Sequence, residues 1–336
     1  GEVLPWQEEK LREETKTLPA RLYLESSDPD GMSGIDEEKY SRARRARLKI
    51  TKPYRDEMEN RYQWCIAAVA GRNWAKKVFP KATSSAAAEE KLWEAILKCS
   101  RAYEGNPLAN WQAHNEELAA RCAYLNNLGL VSLEYRSSNG TDLKVGLMEQ
   151  GLFMGGGETT LAGVYFNPNI PSEECFTTPM RGQAEGIVYS TKPLSYQGKL
   201  IRNFSIRFEE GRAVEAHAAS GEAALKKMIA MDEGAAYLGE CALVPFHSPI
   251  NDTGILFYNT LFDENAACHL AMGRGFTNCV RDYENHTEEE LHAMGVNDSI
   301  IHVDFMIGND DLQITGITDT GARFPVFENG DWAFRV

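Results

Sequence analysis

The chain contains no Cys-x-x-Cys, and its seven cysteines (Cys65, Cys99, Cys122, Cys175, Cys241, Cys268 and Cys279) are odd in number and scattered. That pattern disfavours a disulfide framework and a thiolate zinc site, and a reducing, cytoplasmic setting is expected. In such a setting Asn-x-Ser/Thr triplets such as Asn203-Phe204-Ser205 carry no meaning as glycosylation sites. No apolar run approaches the roughly 20 residues of a membrane span. The stretch from Cys65 to Ala70 has only the length of a buried strand, so no membrane association is expected. Basic surplus is also missing. The formal net charge is −14, which argues against sequence-independent nucleic-acid binding and leaves many carboxylates for divalent cations. The one basic cluster, Arg42, Arg44, Arg45, Arg47 and Lys49, reads as a solvated helix face. There is no His-Glu-x-x-His, no Walker loop, no Gly-x-Ser-x-Gly elbow and no Gly-x-Gly-x-x-Gly. Gly155-Gly156-Gly157 implies only a tight turn or a close backbone approach.

What remains is an ordinary globular composition, 43% hydrophobic and 25% charged over 336 residues, enough for two domains or one large one. The first residue is Gly1 rather than Met, the mark of a trimmed, processed or partly represented start. The expected fold class is α+β: a mostly helical N-terminal domain over 1–128, then a strand-rich domain over 129–336 with a mixed or antiparallel sheet. Glu37 to Met58 reads as an exposed helix and Trp64 to Ala70 as a short buried strand. Ser84 or Ser85 caps a helix running to about Tyr103. Pro107 opens another, which Gly129 ends. Val131–Tyr135 and Asp142–Leu147 form a hairpin across Ser137-Ser138-Asn139-Gly140. A helix is expected over about Glu222 to Leu238, another from near Asp263, and antiparallel strands at Leu312–Thr318 and Arg323–Phe327.

Only a few residues stand where chemistry requires them. His302 and Asp304 lie two apart in a run whose Ile301, Val303, Phe305 and Ile307 would fill the opposite face of a strand. An imidazole and a carboxylate side by side on a strand make half a metal site. His269 follows Asp263 and Glu264. If Asp263 caps a helix, Glu264 and His269 reach one site only when Glu264 stands at its ragged start. The plain alternative is a capping carboxylate and a buried helix histidine. Glu173 and Glu174 follow Pro171 on a loop, and Glu240 stands at the mouth of the apolar run Cys241 to Val244. Either glutamate read alone fits a salt-bridged surface residue. Read together, three glutamates, two histidines and an aspartate suit zinc, cobalt or manganese better than calcium, and six candidates suit two ions sharing ligands. His114, His217, His247, His286 and His292 lack a local set of acidic partners.

At these residues the chain resembles the M29 family of metallo-aminopeptidases. The likeness runs from about Leu92 to the C-terminus. It is dense over Asn169 to Pro179, Ser190 to Leu194, Tyr237 to Glu240, Phe257 to His269, and His302 to Asp304. It implies that Glu174, Glu240, His269, His302 and Asp304 bind two divalent ions, with Glu264 either a further ligand or the general base; Glu240 is the other candidate for that base. It also implies peptide substrates and a homodimer whose N-terminal domains restrict access to the site. The family usually carries more chain before this point, so part of the N-terminal domain is expected to be missing. One departure is Phe276, where the family usually has Tyr. The leading expectation is a two-metal aminopeptidase. The alternatives are a catalytically weak metal- or peptide-binding relative and a metal-dependent hydrolase of other amides.

Overall fold

The computed structural model describes residues 3–336. The first part is helical: α1 Pro5–Thr17, β1 Arg21–Glu25, α2 Glu37–Met58, β2 Trp64–Ala68, α3 Arg72–Val78, α4 Ser85–Cys99 and α5 Pro107–Asn127. A strand-rich stretch comes next: β3 Leu130–Arg136, β4 Asp142–Leu147, β5 Glu158–Thr159, β6 Tyr165–Phe166, β7 Asn169–Ile170, β8 Cys175–Thr177, β9 Pro179–Tyr189, β10 Leu194–Tyr196, β11 Lys199–Glu209 and β12 Arg212–Ser220. The last part runs α6 Glu222–Ile229, β13 Leu238–Leu243, α7 Thr260–Asp263, β14 His269–Gly273, α8 Glu288–Met294, β15 His302–Met306, β16 Gln313–Thr318, β17 Arg323–Glu328 and β18 Asp331–Trp332. The fold is mixed α+β.

Local chemistry sets most of these boundaries. The Ser84 side chain accepts the Ala87 N–H and starts α4; Asn106 does the same for α5, with Pro107 in its first turn. Helix α4 stops at Cys99, short of the expected Tyr103. Arg101 there takes a left-handed φ of 55°, and Asn110 Nδ2 donates to the freed carbonyls of Arg101 and Glu104. The helix expected over 222–238 ends at Ile229. Asp232 accepts the Ala235 N–H at 2.7 Å and the Ile300 N–H at 2.6 Å, so its carboxylate holds a turn that competes with the helical backbone.

Three sheets position the residues singled out above. A nine-stranded antiparallel sheet runs β10-β11-β9-β4-β3-β16-β17-β18, with β12 on β11. A four-stranded antiparallel sheet runs β15-β14-β13-β8, and its apolar face packs with the large sheet around Leu243, Leu270, Met272, Phe305 and Ile314. A small parallel sheet, β1-β2-β7, joins the N-terminal part to β7, the short strand before β8. A second apolar cluster runs from Trp74, Leu92 and Ile96 to Phe257 and Phe262, and Trp74 Nε1 donates to the Phe257 carbonyl at 2.6 Å. Segments on both sides of residue 128 therefore build one sheet and one apolar cluster.

Candidate metal centre

The four-stranded sheet has two chemically distinct faces. Cys241, Leu243, Leu270, Met272, Val303 and Phe305 turn into the core. Strand alternation puts Glu240, Ala242, His269, Ala271, His302 and Asp304 on the other face. The register lines them up: Glu240 pairs with Ala271, which pairs with Asp304, and His269 stands opposite Ala242. Alanine in the middle of the row Glu240–Ala271–Asp304 leaves the space between two carboxylates free of side chain. Cys241 belongs to the core face, so no thiolate enters the row.

His269 lies on a strand and not on a helix. Helix α7 is only four residues long, and a 3₁₀ turn, Glu264–Ala266, comes after it. Asp263 ends α7 instead of starting it. Its carboxylate turns back to accept the N–H groups of Phe257 at 2.8 Å and Asn259 at 3.0 Å. Burial pushes its pKa up to about 7, against those hydrogen bonds. The run His269-Leu270-Ala271-Met272-Gly273 is rich in good helix formers, and sheet pairing on both sides overrides that preference.

Two groups of donors converge. Glu174, Glu240 and His269 form one; Glu240, His302 and Asp304 form the other; within each group the donor atoms lie within 4.8 Å of one another. Glu240 is common to both. His269 Nε2 is 3.2 Å from Glu174 Oε2, and His302 Nε2 is 3.1 Å from Glu240 Oε2 and 3.2 Å from Asp304 Oδ1. Both imidazoles are oriented from behind. His302 Nδ1–H donates to the Arg274 carbonyl at 2.7 Å and His269 Nδ1–H to the Ala267 carbonyl at 3.2 Å. A carbonyl only accepts, so each ring carries its proton on Nδ1 and aims Nε2 at the carboxylates, as a metal ligand requires. Asp304 Oδ1 is buried and has no hydrogen bond. Nitrogen and oxygen donors, a shared carboxylate and an orphaned buried oxygen fit divalent cations.

The electrostatics lead to the same conclusion. Burial, with the Glu174 and Asp304 carboxylates, pushes Glu240 up to about 7 against the opposing pull of His302. Burial pushes Glu264 well above the usual carboxylate range, and Asp304, Glu174 and Glu240 add to the shift. Burial opposes charge on His269, but Glu174, Glu240 and Asp304 outweigh it and raise the ring to about 9. Asp304 is the exception: burial would raise it, but His302 and His269 hold it well below the usual range. A cluster of buried carboxylates this dense is costly until cations neutralise it.

Glu264 belongs to neither donor group, although it lines the same cavity of ≈470 Å³. Phe276 lines it too, its ring 4.9 Å from that of His302 and 5.2 Å from that of Phe176.

The loop bearing Glu174 is held by residues to which the sequence alone assigns no role. Glu173 is buried and paired through both carboxylate oxygens with Arg101, NH2 to Oε2 being 2.7 Å. His114 Nε2–H donates to the Ser172 carbonyl at 2.7 Å, and burial keeps that ring neutral by lowering its pKa. Asn265, fully buried, accepts the Glu173 N–H at 2.7 Å and donates to the Leu261 carbonyl at 3.0 Å. It thus ties the Glu174 loop to the Glu264 turn. The available signal was a second glutamate beside Glu174 in a nearly uncharged run. Gly155 is a close-approach glycine: a Cβ there would meet the Glu174 carbonyl oxygen at 2.3 Å.

Asn265→Ala strands a buried N–H and a buried carbonyl. The expected cost is about 1–3 kcal/mol of stability, with metal affinity weakened roughly 10–100-fold. Denaturant unfolding and chelator competition measure the two effects. Lost stability with unchanged affinity would show that Asn265 supports the fold alone.

A third acidic group, Asp56, Glu59 and Glu288, is neutralised differently. Lys52 reaches Asp56 at 2.8 Å, and Arg274 pairs with Glu59 and reaches Glu288 at 4.0 Å.

The family model for thermophilic metalloproteases, M29, matches residues 1–332. The chain belongs to the M29 family of metalloproteases. It is 43% identical to aminopeptidase AmpS of Bacillus subtilis (strain 168) over 99% of its own length and 81% of that protein's. It is 39% identical to aminopeptidase T of Thermus thermophilus, covering 97% of this chain and 79% of the other. Among solved structures, wild-type AmpT from Thermus thermophilus superposes with a TM-score of 0.88 at 38% identity, over 98% of this chain and 80% of that one. As an M29 metalloprotease the chain is a hydrolase of peptide bonds that binds divalent metal. Among the described residues no helix is long and apolar enough to cross a membrane.

Proposed function

We propose that this M29 member is an aminopeptidase, releasing N-terminal residues from peptides at a centre of two divalent cations. One observation carries the reading: two three-residue donor groups that share Glu240, on the floor of a cavity able to admit a peptide end. The aminopeptidase names of AmpS and aminopeptidase T support the choice of the N-terminal end. Glu174 and His269 would hold one ion, His302 and Asp304 the other, and Glu240 both; zinc, cobalt and manganese suit this donor set. When bound, the ions supply Lewis acidity, which acidifies water and polarises a carbonyl.

The remaining chemistry falls to the chain's own residues. Glu264 is the general base: it accepts a proton from the attacking water and returns it to the departing amine. What supports this role is its place in the cavity outside both donor groups. The Nδ1 hydrogen bonds of His269 and His302 fix both rings, and an ion held on each Nε2 would leave neither ring a site for that proton. Phe276 keeps a second reading open, that of a weakened relative. A phenol at this position would stand against His302, where Phe276 offers no donor.

The test is a panel of aminoacyl anilides and dipeptides given to protein loaded with zinc or cobalt. Free-amine substrates should be cleaved and N-acetylated counterparts left intact. Equal cleavage of the two sets would contradict an aminopeptidase, and cleavage of neither would contradict the enzyme reading as a whole.

A further inference from the structure

A surface cavity of ≈570 Å³ opens beside α4 and α5, with Lys98, Arg101, Asn110, His114 and Glu117 among its lining residues. It shares no lining residue with the metal cavity. Lys98 and Glu117 find partners on their own helices, Glu94 at 2.7 Å and Arg121. Arg101 instead turns inward, 20% exposed, to a carboxylate that is 4% exposed, that of Glu173.

The backbone under Arg101 is held in place for that purpose. Its φ of 55° is left-handed, a conformation that a residue with a Cβ adopts at a cost. Two side chains of α5 maintain it. Asn110 Nδ2 donates to the carbonyls of Arg101 at 3.0 Å and Glu104 at 2.9 Å, and Trp111 Nε1 donates to that of Ser100 at 2.8 Å. Backbone strain that neighbours maintain points to a use for the side chain it aims.

Arg101 is the cation on Glu173. His114 Nε2 lies 3.9 Å from the same carboxylate, but its ring stays neutral. An apolar pair of similar volume would hold the loop at least as firmly, because both charges lose hydration on burial. What the guanidinium adds is direction: its planar fork fixes the plane of the Glu173 carboxylate through both oxygens. One peptide unit further on, Glu174 faces His269 Nε2 at 3.2 Å. The two neighbouring carboxylates are thus drawn to different partners, and the pull on the first sets where the second stands.

We infer that Arg101 is a positioning residue for the ion held by Glu174 and His269, acting through Glu173. The inference rests on the ligand set proposed above. Without Arg101, the Glu173 charge has no cation and leaves its place, and Glu174 moves with it. His302 and Asp304 belong to other strands and keep their geometry. The loss therefore falls on one ion of the two.

The test counts zinc bound per chain, and its affinity, in metal-free wild type, Arg101→Lys and Arg101→Ala. Arg101→Ala should bind one ion about 10–100-fold more weakly and keep the other. Arg101→Lys, which retains the charge and loses the fork, should show a smaller loss at the same ion. The cavity offers a route for rescue: methylguanidinium should enter from solvent and restore the weakened ion in Arg101→Ala, whereas methylammonium should not. Unchanged affinity for both ions in Arg101→Ala would overturn the inference. So would equal weakening of both ions without rescue, the mark of a residue that supports the fold alone. If Arg101→Ala does not fold, Arg101→Lys decides: selective weakening of one ion supports the role, and wild-type affinity for both overturns it. Wild-type protein that binds no ion tightly would instead remove the ligand set, and this role with it.

Discussion

Glu240→Gln should lower bound metal from two ions per chain to one or none and cut kcat/KM by on the order of 10³-fold, the scale seen when a centre of transition-state charge stabilisation is lost. Glu240 is the one side chain common to both donor groups, so its loss touches both ions of the proposed centre. Glutamine keeps the shape and still offers a carbonyl oxygen to His302, but it withdraws the negative charge that both sites share. The same substitution should not weaken the metal-free chain. Burial drives the Glu240 pKa up to about 7, so at neutral pH its charged form is held against a penalty that glutamine does not incur. The expected signature is therefore split: metal-free stability equal or higher, metal-induced stabilisation nearly abolished, turnover lost. Thermal unfolding with and without zinc, together with metal analysis, reads all three. A variant that keeps two ions and loses activity would place Glu240 in proton transfer and outside the ligand set.

Glu264→Gln should do the reverse. The two ions should stay, KM should change little, and kcat should fall by about 10²–10⁴-fold, the usual weight of a positioned general base. The prediction rests on position: Glu264 lines the same cavity as the donor groups, yet it stands in neither of them. It comes from a 3₁₀ turn held by Asn265, whereas four of the five proposed ligands lie on sheet strands. Loss of one ion in Glu264→Gln would make it a ligand and return the base to Glu240.

The half of the candidate site on β15 is legible in the sequence because alternation is local. Ile301, Val303, Phe305 and Ile307 had to go one way, so His302 and Asp304 went the other. His269 was placed on the wrong element for an equally physical reason. Asp263 looks like a helix cap, and the residues after His269 are good helix formers, but neighbours on both sides recruit them into a sheet. No single segment shows that competition. The alanine between Glu240 and Asp304 and the Arg101–Glu173 pair under the Glu174 loop depend on segments far apart in the chain. The absences in the sequence were informative throughout. Without paired cysteines, long apolar runs or basic surplus, few explanations remained for buried carboxylates beside histidines.

The most direct test of the central claim is the number of ions that the metal-free chain binds as activity appears. The chain would be titrated with zinc or cobalt, with bound metal and aminoacyl anilide hydrolysis measured together. The account predicts saturation at two ions per chain, with activity complete only when the second is bound. Full activity at one ion per chain, or no tight binding at all, would contradict it.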